Sequence, residues 1–180
     1  MNRRKLLALI PLLTLPPSAW AQQKQLVLPL KWYVVQVEGD AFTVDMPGIP
    51  DHRLVNDVSA RGTAFALHSY SLEAGGYSYV VQTALYPGDV DIGQPRRLIQ
   101  TAIDERAKVL EGRKWSKVDW RGISGGPAAD SIGLLKGGNA LRQLVLLKGR
   151  RFVSLAFMGA AASMTGFEAE RFFKSLKMKA

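Results

Sequence analysis

The sequence predicts an α+β domain in which a single antiparallel β-sheet is sandwiched between helices, preceded by a cleaved signal peptide. Three observations carry that prediction. Short runs rich in β-branched and aromatic residues are joined by Gly-containing pairs suited to tight hairpins, so neighbouring strands run antiparallel. Two stretches repeat apolar residues at steps of three and four, as amphipathic helices do. Finally, Leu144 and Leu146 alternate with Val145 and Leu147, and Val153, Leu155 and Phe157 alternate with Phe152, Ala156 and Met158. Strands apolar on both faces must be covered on both sides, and the two helices are available to do so.

Residues 1–21 read as a secretory signal. Arg3, Arg4 and Lys5 precede the apolar run Leu6–Leu15, and Ala19-Trp20-Ala21 places small residues where a signal peptidase cuts, with cleavage after Ala21. A run of about ten residues falls short of the roughly 20 that cross a bilayer, so no transmembrane segment is expected in the mature chain. Arg3-Arg4 also fits a twin-arginine signal, but with Lys5 and Leu6 following, general secretion is the reading. The mature protein is expected to be soluble and periplasmic.

Of 180 residues, 159 follow Ala21, which suits one domain with one core. The chain is formally +9, but Arg3, Arg4 and Lys5 account for three of those charges and the mature part is +6. Such a charge favours anionic contacts and also simply keeps a domain soluble. There is no cysteine, which excludes disulfides, thiolate metal sites, a Cys nucleophile and acylation at the signal junction.

Residues 22–31 form a linker or irregular edge segment containing Pro29, and residues 32–180 form the domain. Trp32–Val37 and Ala41–Met46 are strands about a Glu38-Gly39-Asp40 turn, and Pro47-Gly48-Ile49-Pro50 ends the second. Within it Phe42, Val44 and Met46 alternate with Thr43 and Asp45, which gives one apolar face. Further strands are expected near Arg53–Val58, Thr63–Leu72 and Tyr77–Tyr86, with Gly75-Gly76 as a hairpin turn. A helix follows over about residues 94–111, where Ile99, Ala102, Ile103, Ala107 and Leu110 make an apolar face broken by Arg106. Asp91 is expected to cap its start and Gly112 its end. The second β half runs through Val118–Ile123, Ala128–Leu135, Ala140–Lys148 and Arg151–Met158 as a meander. The last helix opens on a capping box, Thr165-Gly166-Phe167-Glu168, and buries Ala169, Phe172, Phe173 and Leu176.

Three pieces carry a family resemblance. Ala41–Pro50 looks like the "F-x-V-x-[MF]-P-G-x-P" opening of many small exported bacterial proteins, Gly122–Pro127 lies at a hairpin, and Arg171-Phe172-Phe173-Lys174-Ser175-Leu176 is near a recurrent "F-F-x-S-F/L" ending. On these motifs the chain resembles the PsbP-like and Mog-type α/β/α sandwiches over most of residues 32–178. The resemblance implies a binding or accessory subunit of a larger assembly; its motifs are structural and name no reaction.

Candidate chemistry is sparse. Gly122-Ile123-Ser124-Gly125-Gly126 matches a nucleophile elbow in form, but Pro127 and a strand follow it where a helix should, and His52 and His68 both lie upstream. The glycines read as a hairpin. His52 reads as a loop histidine and His68 as a strand-face histidine; a metal site would need both to converge with a carboxylate, so no metal is expected. Asp89-Val90-Asp91 is too short for a calcium loop. No phosphate loop is present, and no cofactor is implied.

One stretch stands above this background. Arg113, Lys114, Trp115, Lys117, Trp120 and Arg121 interleave cations with tryptophans, a pattern that can stack on a sugar or anchor at head groups. The commoner origin of such a pattern is that the two tryptophans are core residues with their cations snorkelling to solvent. Two functions follow. The first is a non-enzymatic periplasmic binding or accessory protein contacting another envelope protein, an anionic wall polymer or lipid head groups, with no nucleic acid. The alternative is an unrecognised hydrolase or metal-dependent enzyme that gathers His52, Ser124 and carboxylates in three dimensions.

Overall fold

The structure is a computed structural model that describes residues 31–36 and 42–179. The signal at 1–21 with cleavage after Ala21, most of the linker at 22–31, and the turn at 38–40 lie outside the described residues. Among the described residues, ten strands and two α-helices follow in order: β1 (Tyr33–Gln36), β2 (Phe42–Met46), β3 (Asp51–Val58), β4 (Ala64–Ala74), β5 (Tyr77–Leu85), α1 (Pro95–Ala107), β6 (Lys117–Ile123), β7 (Gly126–Leu134), β8 (Asn139–Lys148), β9 (Arg151–Ala160), α2 (Phe167–Lys174) and β10 (Lys177–Met178).

The strands form two sheets, and this corrects the expected single sheet between helices. A seven-stranded antiparallel sheet has the order β3-β4-β5-β9-β8-β7-β6, and a three-stranded one the order β1-β2-β10. The chain builds β3 to β5, crosses through α1 to the far edge, and meanders back until β9 pairs with β5 at the centre. One face of the large sheet carries α1, whose Ile99 and Ile103 pack on Ala129, Val145 and Leu147. The other face carries α2 together with the small sheet.

Dimensions explain why helices alone do not suffice. Six inter-strand spacings of ~4.8 Å make the large sheet roughly 29 Å wide, whereas the eight residues of α2 span only about 12 Å. β2 supplies the missing cover: Phe42, Val44 and Met46 are each 0% exposed and join Tyr79, Leu155, Phe157 and Phe172 in the main core. Burying each of those three side chains is worth roughly 1.5–3 kcal/mol. The opening and closing motifs therefore meet in space. Ser175 ties them together, its Oγ accepting the Asp45 N–H at 2.8 Å and donating to the Phe172 carbonyl at 2.7 Å.

Several local expectations change. α1 ends at Ala107, shorter than the stretch to residue 111, and a 3₁₀ turn at Glu111–Arg113 follows it. Its N-cap is Gln94, while Asp91 accepts the Gly93 N–H at 2.8 Å in a turn before the helix. The capping box at Thr165 does not form, because the N-cap falls one residue later, at Gly166, whose N–H is taken by Ser163. Arg106, the interruption in the apolar face of α1, donates to Gln82 of β5 at 3.3 Å.

Candidate functional site

The Trp and basic stretch lies between α1 and the β6 edge, and the pleat of β6 divides it. Gly112 and Arg113 both adopt positive φ, 64° and 53°, which turns the chain from α1 towards β6. Trp115 then folds back: its indole Nε1 donates to the Ile103 carbonyl at 2.9 Å, tying α1 to the sheet. Trp120 points to the same face, against the Ile99 and Ile103 cluster, with the Arg96 guanidinium 5.6 Å from its ring centroid.

Lys117 and Arg121 alternate with Trp120 along the strand and so face the other way. Each has an acidic partner. Lys117 pairs with Asp119 at 2.6 Å, and Arg121 Nη2 with Asp130 Oδ2 at 3.0 Å. The six candidates thus do not share one surface. Exposed Arg113 instead joins Lys108 and Lys136 around an open depression where the end of α1, the 3₁₀ turn and the β7–β8 turn meet, with Lys114 exposed next in the chain. Glu111 also lines the depression and Lys108 pairs with Glu105, so Arg113, Lys114 and Lys136 leave this a net cationic corner.

A second ionic group, absent from the sequence expectations, lies inside. Arg142 of β8, 7% exposed, grips Asp130 of β7 through Nε to Oδ1 at 3.0 Å and Nη2 to Oδ2 at 2.9 Å. Its Nη1 donates to the Met164 carbonyl at 3.0 Å and to Glu170 of α2 at 2.6 Å, and its guanidinium lies 4.5 Å from the Phe173 ring centroid. Burial works against the Arg142 charge, but the hydrogen bonds it donates to Asp130 and Glu170 outweigh it and hold the guanidinium protonated more firmly than usual. The Arg142 hydrogen bond likewise keeps the Glu170 carboxyl below its ordinary range, with Lys174 adding to the effect against partial desolvation. The signal was there to read: Asp130 and Arg142 are charges set within strands of mostly apolar residues, and a charge in such a place must be paired. The group is closed on itself and locks α2 to the sheet.

The elbow-like segment is a two-residue hairpin loop. Ile123 pairs with Gly126, leaving Ser124 and Gly125 at φ 50° and 83°. Meanwhile His52, expected in a loop, falls inside β3 and meets His68 of β4. His52 Nε2 and His68 Nδ1 are 3.2 Å apart, and the His52 ring stacks on Tyr70 with centroids 4.5 Å apart. Ser124 lies on the opposite edge of the sheet, five strand spacings from β4, or roughly 24 Å. The Asp89-Val90-Asp91 carboxylates also go separate ways, Asp89 to the Ser59 hydroxyl and Asp91 to Gly93. Arg150, in the β8–β9 turn, donates to the carbonyls of Tyr86 and Val90 at 3.0 Å each and to that of Pro87.

No family model matches the chain, and no curated protein matches it. Among solved structures the fold is similar to cyanobacterial PsbP (CyanoP) from Synechocystis sp. PCC 6803, with a TM-score of 0.52 and 10% identity over 88% of this chain and 98% of that one. A protein of unknown function from Pseudomonas aeruginosa aligns with a TM-score of 0.39 and 14% identity over 74% of this chain and 85% of that one. The fold is therefore PsbP-like. No helix of the described residues is long and apolar enough to cross a membrane.

Proposed function

We propose that this chain is an exported, periplasmic, non-enzymatic binding or accessory protein whose cationic corner at Arg113 and Lys114 contacts an anionic partner. One observation carries the reading. Ser124 lies at one edge of the sheet and the two histidines on the two strands at the other, and the buried charges are spent on one another. The hydrolase alternative rested on Ser124 and His52 meeting, and the sheet separates them. Export follows from the residues at 1–21, and the accessory role is the one that resemblance to the PsbP-like fold implies. Another envelope protein, an anionic wall polymer and lipid head groups are the partner classes that suit the charge.

The test is native mass spectrometry of the mature protein taken from the periplasm without stringent washing. The expected result is a chain beginning at Gln22 that carries a reproducible added mass or a partner, and loses it in Arg113→Glu/Lys114→Glu. A chain that retains residues 1–21 in the cytoplasm, or the same complex in the double variant, would overturn the reading.

A further inference from the structure

We propose that His52 and His68 form a two-nitrogen binding site for a divalent transition-metal ion at the β3 edge of the large sheet. The register brings them together. His52 pairs with Tyr70 and His68 with Leu54, so the histidines are diagonal neighbours on one face, a separation that aromatic side chains can span.

The distance between them suits a metal. Nitrogens ~2.0–2.1 Å from one ion lie about 3.3 Å apart at a tetrahedral angle and about 2.9 Å apart at a right angle. His52 Nε2 and His68 Nδ1 are 3.2 Å apart, with ring planes 8° from parallel. Stacking on Tyr70, which is itself 7% exposed in the core, holds the His52 ring in place. His52 is exposed and His68 half-buried, so an ion reaches both from solvent.

Without metal, one ring donates its N–H to the other. On binding, that proton moves through solvent to the same ring's second nitrogen and the exposed His52 ring tilts about its side-chain torsions, so that both lone pairs meet the ion and neither ring gives up a proton overall. Imidazole donors select zinc, nickel and copper over the oxygen-seeking calcium and magnesium. No group of three or more His, Cys, Asp or Glu among the described residues completes a coordination shell. The ion's remaining positions are therefore open to water or to a ligand from outside, and the site binds without burying its metal.

The experiment titrates untagged mature protein with Zn²⁺ alone, then Ni²⁺ alone, in a non-coordinating buffer by calorimetry. One equivalent should bind; His52→Ala and His68→Ala should each weaken binding at least ~10-fold, and the double variant should lose it. With Cu²⁺, electron paramagnetic resonance should show two imidazole nitrogens in the wild type and one in each single variant. Because exposed His52 contributes little to folding, H52A tests the site even where H68A shifts the melting temperature. Absence of saturable binding, Ca²⁺ competing as well as Zn²⁺, or undiminished binding in the double variant would overturn the proposal.

Discussion

Arg142 of β8 holds Asp130 of β7 with two parallel hydrogen bonds, at 3.0 and 2.9 Å, where β7 and β8 are buried beneath α2. The guanidinium matches both oxygens of a carboxylate that is 8% exposed, and Arg121 adds a third hydrogen bond to Oδ2 at 3.0 Å. Arg142→Met leaves Asp130 with the half-exposed Arg121 alone and should lower unfolding free energy by up to about 3–5 kcal/mol in urea titrations. Replacing both partners, Asp130→Leu with Arg142→Met, should recover most of the loss. A double variant as unstable as the single one would mean that the pair contributes by another route than charge compensation.

Glu170 adds a pH dependence of defined sign. Its carboxyl is held below the ordinary glutamate range, first by Arg142 and then by Lys174. A carboxyl depressed on folding adds stability above its unfolded range, and that contribution drains away as pH falls through the folded value. The advantage of wild type over Glu170→Gln should therefore be full near neutrality and shrink once pH passes below the ordinary glutamate range. Urea midpoints at a series of pH values measure it; a gap that widened on acidification would contradict the assignment.

Trp115 is a tie between helix and sheet. Its indole donates to Ile103 at 2.9 Å, and a Cβ added at Gly133 would sit 2.4 Å from Leu110 Cδ1 and 3.1 Å from Trp115 Cε3. Trp115→Phe keeps most of the packing and should cost about 1 kcal/mol for the lost hydrogen bond. Gly133→Ala crowds the same spot and should cost about 1–3 kcal/mol. Thermal melts of the two variants check the order; equal stability with wild type in Gly133→Ala would show that Leu110 has room to turn away.

How much of this was legible follows the range of each interaction. The Gly75-Gly76 hairpin, the meander of the second half and the amphipathic helices depend on neighbours in sequence, and the strands fall close to where alternation places them. The second sheet was not legible, since the alternation of Phe42, Val44 and Met46 says that one face is buried but not which sheet the strand joins. β10 is only two residues long and exists because β2 is beside it. The histidine pair was lost through a boundary: starting the strand at Arg53 in place of Asp51 leaves His52 in a loop, where no register links it to His68. The six-residue candidate stretch mixed both faces of β6: parity, with the strand's start fixed, separates Trp120 from Lys117 and Arg121, whereas Trp115 precedes the strand and reaches the Trp120 face only by folding back onto α1, which alternation does not foretell.

Arg150 should matter more than a turn residue usually does. Its guanidinium gathers the carbonyls of Tyr86, Pro87 and Val90, which carry the chain from β5 towards α1. A lysine ammonium is a point charge and cannot serve three carbonyls in a fork. Arg150→Lys should speed hydrogen exchange at Val90, whose N–H is taken by Pro87 at 3.1 Å, with a stability loss of about 1.5–3 kcal/mol. Unchanged exchange at that amide would show that the loop is held without the guanidinium.

Ser124 distinguishes a turn residue from a nucleophile most directly. With Gly125 it fills a two-residue loop at positive φ, 50° and 83°, where a side chain other than Asn or Asp is strained. Asn-Gly is the pair such hairpins prefer, so Ser124→Asn should raise the melting temperature, by an amount corresponding to roughly 0.5–1 kcal/mol. The same substitution removes the hydroxyl that the elbow reading needed. A variant that is more stable and still retains its partner or ligand shows that the hydroxyl serves neither folding nor binding. One that binds less well at equal stability would place Ser124 in the contact surface.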